Sequence, residues 1–203
     1  MDSEPKSTKK SRLINLNETI FMCCDVQEVF KGKSYMFDTM EHNCKRLVQV
    51  SKIMDIPLIV TEQLPEKFGK TTSTISDEFS ETQKIYDKTQ FSMISDEIES
   101  ELKTNYSDKD TIILFGIEAH VCITQTALEL LDLGYKVYAV VDAVTSIRVQ
   151  DRLVGIKRME LEGVKFVSSE SVIFELLRSA KSEYFKPLMP VIKDFAKNLM
   201  NHL

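Results

Sequence analysis

The sequence has few histidines and no long apolar run, and each of these absences excludes a class of protein. Its 203 residues include three histidines, His42, His120 and His202, which are too dispersed to supply a three-ligand metal site. No apolar stretch approaches the roughly 20 residues that a helix needs to cross a bilayer. We therefore expect no histidine-based metal centre and no membrane partner.

The sequence also lacks the cysteine pattern of a disulfide-stabilised protein. Cys23 and Cys24 are adjacent within an apolar segment, Cys44 and Cys122 lie far from them in the chain, and there is no CxxC motif. Adjacent cysteines rarely pair with each other, and a chain of this length can bury a sufficient core without cross-links. We expect free thiols in a reducing compartment.

The charge balance argues against a nucleic-acid partner. The formal net charge is -5, whereas nucleic-acid binders normally carry a basic face. Residues 1–12 are polar and lack the apolar core of a secretory signal, and Asp2 and Glu4 stand where mitochondrial presequences avoid acids. We expect a flexible tail at residues 1–14, one domain at residues 15–203, and a cytoplasmic location.

Apolar segments of strand length alternate with amphipathic segments of helix length over most of the chain. Several strand candidates are apolar throughout, as strands buried on both faces must be. The alternation predicts an α/β fold, a three-layer α-β-α sandwich around a six-stranded, mainly parallel sheet. The predicted strands cover residues 19–24, 57–61, 84–87, 111–116, 136–141 and 164–168. The predicted helices cover residues 38–55, 95–105, 120–133, 150–162, 170–180 and 183–201.

Three polar residues closely follow predicted strands: Asp25, Lys88 and Cys122. Because the carboxyl ends of parallel strands share one edge of a sheet, we expect these side chains to gather there. A cysteine at a helix start beside an ammonium group favours the thiolate, and a carboxylate can accept its proton. The same positions also suit a buried structural cysteine, a capping aspartate and a surface lysine, and position alone does not decide between the two interpretations.

A resemblance to a known family favours the catalytic interpretation. The nucleophile region of isochorismatase-like cysteine hydrolases is similar to the segment GIEAHVCITQTALELLDLGYKVYAVVDAVTSIRVQDR, and the animal isochorismatase-domain-containing proteins are the most similar group. Further matches are CDVQEVF, VTEQLPEKFG, KTQFSM and FKPLMPVIKDF. The resemblance implies a six-stranded parallel sheet and a catalytic triad of Asp25, Lys88 and Cys122.

The family also has a cis peptide shortly before the nucleophile, which by position would join Ile117 to Glu118. It would direct the backbone amides of Glu118 and Cys122 at one oxyanion, forming an oxyanion hole. The resemblance further suggests Gln63 as a substrate-binding residue. By position, Phe91 is a candidate for the pocket wall or equally for the core, and His120 is a candidate for contact with substrate. Two residues apart at a helix start, His120 and Cys122 point to different sides, so His120 is a weaker candidate for the catalytic base.

One departure from the wider superfamily concerns metal binding. Related nicotinamidases bind a metal through an Asp-x-His arrangement just after the second strand, together with a further histidine. The corresponding segment here reads TEQLPEKFG and contains no histidine. We therefore expect a metal-independent enzyme that needs no cofactor.

The sequence thus predicts a metal-independent hydrolase that acts on a small amide, ester or related substrate. An alternative is a catalytically weak binding or scaffold protein that retains the fold. A dinucleotide-binding enzyme is disfavoured, because CDVQEVFKG follows the first strand where GxGxxG would stand. The apolar residues of the C-terminal helix exceed what one sheet face needs, so we also expect a homo-oligomer, a dimer or larger.

Overall fold

A six-stranded sheet forms the middle layer of the protein. The computed structural model describes residues 12–199, and the side chains of residues 12–194. The strands are β1 (Thr19–Cys24), β2 (Leu58–Gln63), β3 (Ile85–Lys88), β4 (Thr111–Ile117), β5 (Lys136–Thr145) and β6 (Lys165–Val167). The helices are α1 (Phe37–Ile53), α2 (Pro65–Phe68), α3 (Ser73–Ser76), α4 (Asp96–Asn105), α5 (Thr124–Asp132), α6 (Val149–Leu161), α7 (Ser169–Leu177) and α8 (Phe185–Leu199).

All neighbouring strands of the sheet are parallel, in the order β3-β2-β1-β4-β5-β6. The chain moves outward from β1 to β3 and then crosses back to β4, on the other side of β1. This reversal opens a crevice between β1 and β4 at the carboxyl ends of the strands, where α/β sheets of this kind bind ligands. The predicted α/β fold with a six-stranded parallel sheet is confirmed.

The two central strands explain why the sheet is stable. Every residue of β1 and β4 is buried, as expected for strands covered by helices on both faces. Phe21 of β1 and Phe115 of β4 pack edge to face, with ring centroids 6.1 Å apart. Gly116 allows the two strands to approach, because a Cβ there would lie 2.1 Å from the carbonyl oxygen of Cys24. The end of β1 is therefore held firmly against the end of β4.

Helices cover both faces of the sheet. Helices α1, α7 and α8 pack together on one face, and α5 and α6 pack together on the other. In α1 the buried residues Phe37, Met40, Cys44 and Leu47 recur at the three- and four-residue spacing of one helix face. Helix α5 ends just before Gly134, whose positive φ of 89° suits the residue after a helix.

Several element bounds differ from the predicted ones, mostly near the carboxyl edge of the sheet. β2 extends to Gln63, because residues 60–63 pair with β3, and β5 extends to Thr145. The β4–β5 pairing shifts register between Leu114 and Gly116, which lengthens β5 beyond the predicted residue 141. Residues 62–83, which have no clear periodicity, contain the end of β2 and the short helices α2 and α3.

At the amino end, the described chain is already anchored at Ile14. This residue is 1% exposed, and its backbone N–H donates to Glu175 Oε2 at 2.9 Å. Residues 1–11 of the expected tail, His202 and the end of the predicted C-terminal helix lie outside the described residues. Over the described part of the chain, the structure has no helix that is both long and apolar enough to span a membrane.

Candidate active site

Asp25 directly follows β1 at the crevice between β1 and β4. Its side chain is 1% exposed, and its φ of 51° turns the chain sharply away from the strand. The Asp25 backbone N–H donates to the Thr61 carbonyl at 3.1 Å, and Thr61 Oγ1 donates to Asp25 Oδ1 at 2.8 Å. The end of β2 therefore fixes both the backbone and the carboxylate of Asp25.

Lys88 is the last residue of β3, two strands away from β1, and its side chain reaches back across β2. Its Nζ lies 2.7 Å from Asp25 Oδ2 and 3.7 Å from Cys122 Sγ. It also donates to Gln63 Oε1 at 2.6 Å and to the carbonyl of Phe91 at 2.9 Å. Burial favours the neutral amine, whereas the Asp25 carboxylate and the surrounding hydrogen-bond acceptors, which include the Gln90 carbonyl at 3.2 Å, favour the ammonium form.

The balance of these effects keeps Lys88 charged. Burial by itself lowers the pKa of Lys88, but electrostatic attraction to Cys24, Asp25 and Cys122 more than offsets this effect. The pKa of Lys88 therefore lies above the ordinary lysine value. A buried ammonium group stands between a carboxylate and a thiol at neutral pH.

Cys122 lies in a π-helical turn, Ala119–Ile123, that leads into α5. The cis peptide between Ile117 and Glu118, implied by the sequence resemblance, is present just before this turn. Two hydroxyl groups support the turn: Thr124 Oγ1 donates to the Ala119 carbonyl at 2.6 Å, and Thr126 Oγ1 donates to the Cys122 carbonyl at 2.7 Å. The sequence predicts the start of an ordinary α-helix at Cys122, whereas the structure has a wider, π-helical turn there.

Helix α6 packs directly on the turn that carries Cys122. A Cβ at Gly155 would lie 2.7 Å from the Cα of His120 and 2.8 Å from the carbonyl carbon of Ala119. Only glycine allows such a close approach between a helix and another segment's backbone. Gly155 therefore positions the cysteine turn, and the only sign of this contact in the sequence is a glycine within a predicted helix.

The other thiols are more deeply buried than Cys122. Cys23, Cys24 and Cys44 are fully buried, whereas Cys122 is 8% exposed. Burial raises the pKa of each of the three buried thiols well above its ordinary value, and Asp25 raises that of Cys24 further. Among the four cysteines, Cys122 combines the greatest exposure with direct contact to the ammonium group.

Comparison with known proteins identifies the family of the chain. Residues 19–171 match the family model of the isochorismatase domain. The chain belongs to the isochorismatase family. A secreted isochorismatase effector, Isc1, of Phytophthora sojae (strain P6497) is 38% identical over 94% of this chain and 92% of its own length. Isochorismatase domain-containing protein 2 of Xenopus laevis is 37% identical over 87% of this chain and 84% of its own length.

A solved structure supports the same assignment. The structure of MAR1 ribonuclease from Caenorhabditis elegans is 37% identical, with a TM-score of 0.84, over 89% of this chain and 92% of that chain. The chain therefore has the fold of the isochorismatase-like hydrolase superfamily, and its Asp25 and Cys122 lie close together at the edge of the sheet.

Three residues of this isochorismatase-family chain were predicted to bind substrate, and they differ in their surroundings. Gln63 is 5% exposed, and both ends of its amide are engaged: Oε1 accepts from Lys88, and Nε2 donates to the Thr89 carbonyl at 2.8 Å. Phe91 is 52% exposed beside the site. His120 Nδ1 lies 3.1 Å from Ser146 Oγ. Phe91 and His120 are thus freer than Gln63 to meet a ligand.

The predicted oxyanion hole involves the backbone at Glu118 and Cys122. The Glu118 side chain turns to the outside, where its Oε2 accepts from the Ile147 N–H at 2.8 Å. Its carbonyl accepts from the N–H groups of Val121 and Ile123, at 3.0 and 3.2 Å. These bonds hold the backbone on either side of the cysteine, and the oxyanion hole itself stays a prediction.

Other residues shape the site without having been predicted from the sequence. Gln27 Oε1 accepts from the Gln63 N–H at 2.8 Å, and Gln27 Nε2 donates to the Gln63 carbonyl at 3.0 Å. Met93 N–H donates to Thr126 Oγ1 at 2.9 Å, and Ser92 Oγ donates to Glu129 Oε2 at 2.6 Å. The loop after Lys88 is thereby fastened to α5, the helix that follows Cys122. The available signal is a position inside a matching motif: Gln27 lies in CDVQEVF, and Ser92 and Met93 lie in KTQFSM.

One group of described residues has the geometry to hold a metal ion. The Sγ atoms of Cys24 and Cys122 and a carboxylate oxygen of Asp25 all lie within 4.8 Å of one another. The Lys88 ammonium contacts Asp25 and Cys122, so a cation there would be repelled by a fixed positive charge. A cavity of about 280 Å³ also exists beside β5, and none of the three predicted triad residues lines it.

Proposed function

We propose that this chain is a metal-independent cysteine hydrolase that acts on a small amide, ester or related substrate. The observation that carries the proposal is the position of the Lys88 ammonium, 2.7 Å from Asp25 Oδ2 and 3.7 Å from Cys122 Sγ in a buried crevice. Such a charge stabilises a thiolate and orients the neighbouring carboxylate.

In this mechanism Asp25 accepts the proton of the Cys122 thiol and later returns it to the leaving group. The Cys122 sulfur attacks the substrate carbonyl, and an acyl thioester forms as the amine or alcohol leaves. Backbone N–H groups of Glu118 and Cys122 stabilise the oxyanion. Water then attacks the thioester, with Asp25 as the base, and the free acid and the Cys122 thiol are regenerated.

The surroundings of the site suggest how a substrate would be held. Phe91 offers an exposed aromatic face, and His120 provides a ring nitrogen at the same edge of the sheet. Gln63 is predicted to contact substrate, but its amide oxygen already accepts a hydrogen bond from Lys88 at 2.6 Å. In the proposed enzyme, Gln63 therefore holds the lysine as well as bordering the pocket.

A screen of the full chain against small amides and esters tests the proposal. Cys122→Ala should abolish turnover, and intact-mass spectrometry of the wild-type protein should detect an acyl adduct on Cys122. Cys44→Ala is the matched control, since Cys44 is fully buried and bonds to the Ala143 carbonyl instead of the site. Equal activity in the Cys122→Ala and wild-type proteins would refute the proposed nucleophile.

The same screen addresses the alternatives. A ribonuclease activity belongs by name to the C. elegans neighbour, so labelled RNA is included as a substrate. Neither adduct nor turnover with any substrate class would support the scaffold alternative. Activity that a chelator removes and one metal restores would contradict metal independence.

We further propose a homo-oligomer, on grounds that differ from the predicted ones. In α8, Leu188 and Val191 are buried within the chain's own fold, where α8 packs on α1. Helix α6 instead exposes Leu153, Val154 and Leu161, at 56%, 67% and 74%. Val154 and Leu161 are seven residues apart and therefore share one face of α6, and exposed apolar residues on one helix face favour burial against a second copy. Light scattering that gives a mass near 23.3 kDa at micromolar concentrations would exclude it.

A further inference from the structure

A second thiol lies beside the proposed nucleophile and has no role in hydrolysis. Cys24 ends β1, immediately before Asp25, and is fully buried. Its Sγ lies within 4.8 Å of Cys122 Sγ and within the same distance of an Asp25 carboxylate oxygen. One unreachable thiol therefore lies next to one that is partly exposed.

The other two cysteines are excluded from this arrangement. Cys23 precedes Cys24 on β1, and successive strand side chains point to opposite faces of the sheet. Cys44 belongs to α1, where its thiol contacts Met40 Sδ at 3.3 Å and the Ala143 carbonyl at 3.4 Å. Cys24 is thus the one partner among the cysteines that the described structure places beside Cys122.

We propose that Cys122 is a site of oxidation by hydroperoxides and that Cys24 is its resolving thiol, closing a reversible Cys24–Cys122 disulfide. The Lys88 ammonium, 3.7 Å from Cys122 Sγ, favours the thiolate that reacts with peroxides. The neighbouring buried thiol is then close enough to intercept the first oxidation product. The proposal concerns the chemistry of two thiols and holds whether or not the protein turns over a substrate.

The steps balance with hydrogen peroxide as the oxidant. The Cys122 sulfur attacks one peroxide oxygen, an S–O bond forms, the O–O bond breaks, and the second oxygen leaves as water after taking the thiol proton. The product is a sulfenic acid on Cys122. The Cys24 sulfur then attacks the Cys122 sulfur, an S–S bond forms, the S–O bond breaks, and the hydroxyl leaves with the Cys24 proton as a second water. Two thiols and one peroxide give one disulfide and two waters.

The environment explains why Cys24 acts second. Burial raises the pKa of Cys24, and the hydrogen bond to Cys122 and the charge of Asp25 raise it further, so its thiol stays protonated at rest. The Cys24 thiol reacts only when Cys122 carries a hydroxyl group that can leave. A disulfide has an S–S distance of about 2.05 Å, so the turn Ala119–Ile123 moves toward β1 when the bond closes.

Peptide mapping of the full chain treated with graded hydrogen peroxide tests the proposal. Trypsin should release residues 13–31, with Cys23 and Cys24, and residues 110–136, with Cys122. We expect these two peptides to be joined after oxidation and separated again by a reductant. Because one peptide contains both neighbouring cysteines, the mapping is repeated on Cys23→Ala, which should still form the link.

Cys24→Ala should lose the link and accumulate several-fold more sulfinic acid on Cys122 than the wild type at the same peroxide dose, since nothing intercepts the sulfenic acid. If this variant fails to fold, the wild-type and Cys23→Ala maps decide by themselves. Sulfinic acid on wild-type Cys122 without any link to peptide 13–31 would overturn the proposal, as would a link that Cys23→Ala abolishes.

Discussion

The strongest test of the charge arrangement is to remove Lys88 and Asp25 singly and together. Lys88→Met keeps much of the side-chain volume and removes the positive charge. Asp25→Asn keeps the shape of the carboxylate and an oxygen that can accept from Thr61. The readout is the rate of Cys122 alkylation by iodoacetamide at fixed pH, which follows the thiolate fraction and needs no substrate.

The structure sets the expected magnitudes. A unit charge on Lys88 Nζ, 3.7 Å from Cys122 Sγ, stabilises the thiolate by about 4.5 kcal/mol at an effective dielectric constant of about 20. The Asp25 carboxylate lies within 4.8 Å of the same sulfur. At a distance of 4.8 Å its negative charge destabilises the thiolate by about 3.5 kcal/mol at the same dielectric constant. The two charges together therefore stabilise the thiolate by about 1 kcal/mol.

These terms predict an order of reactivity. Asp25→Asn should alkylate faster than the wild type, because only the attractive charge remains. The double variant should be about fivefold slower than the wild type, and Lys88→Met slower still, by up to about a thousandfold. Asp25→Asn should nevertheless lose turnover, because its side chain cannot accept the thiol proton. Equal alkylation rates in all four proteins would refute the electrostatic argument.

Stability provides the second readout of the same cycle. The side chains of Lys88 and Asp25 are 3% and 1% exposed, so Lys88→Met leaves a buried carboxylate without its counter-ion and should cost about 3–5 kcal/mol. Lys84→Met is the matched control: Lys84 is 56% exposed and pairs with Glu97, and its loss should change the free energy of unfolding far less than the loss of Lys88. The double variant should be more stable than Lys88→Met, because it has no buried carboxylate without a counter-ion.

Helix packing, thiol burial and thiol exposure give three more outcomes. Gly155→Ala should lower the melting temperature, because the added Cβ would lie 2.7 Å from the His120 backbone. Alanine usually stabilises a helix by about 1 kcal/mol over glycine, so a higher melting temperature would contradict this packing. The free energy of unfolding in urea should be retained below about pH 9 and fall above it, because burial raises the pKa of Cys44 and the unfolded chain releases the thiol proton first. Cys44→Ala should reduce that slope by about 1.4 kcal/mol per pH unit, and an unchanged slope would count against the assignment. Brief iodoacetamide labelling at neutral pH should modify Cys122 before the other thiols, and faster labelling of Cys44 would exclude Cys122 as the reactive one.

The sequence alone was sufficient to predict the parallel sheet and the edge of the sheet at which Asp25 and Cys122 meet. Unbroken apolar strands alternating with helices leave few arrangements other than a covered parallel sheet. Residues that follow such strands collect at one edge, whatever the details of packing. The position after a predicted strand also brought Lys88 to this edge, but the choice of the three residues as a triad depended on resemblance, because periodicity does not reveal that a side chain from β3 reaches across β2.

The remaining features depend on distances between segments remote in sequence. The contact of Gly155 with the cysteine turn and the hydrogen bond between Gln63 and Lys88 involve elements whose spacing is set by the whole fold. The apolar face of α8 is a similar case. An amphipathic helix pattern shows that a face will be covered, but not whether the chain's own α1 or a second copy covers it.

The backbone and the side chain of Phe91, in the loop after Lys88, have different surroundings. The carbonyl of Phe91 accepts a hydrogen bond from the lysine, and the next two residues are fastened to α5, so the backbone there has little freedom. The Phe91 side chain is half-exposed and takes no part in those bonds. In the proposed hydrolase, natural variation or a mutant library at this position should therefore change which substrates are accepted, while Lys88 and the residues fastened to α5 keep their places.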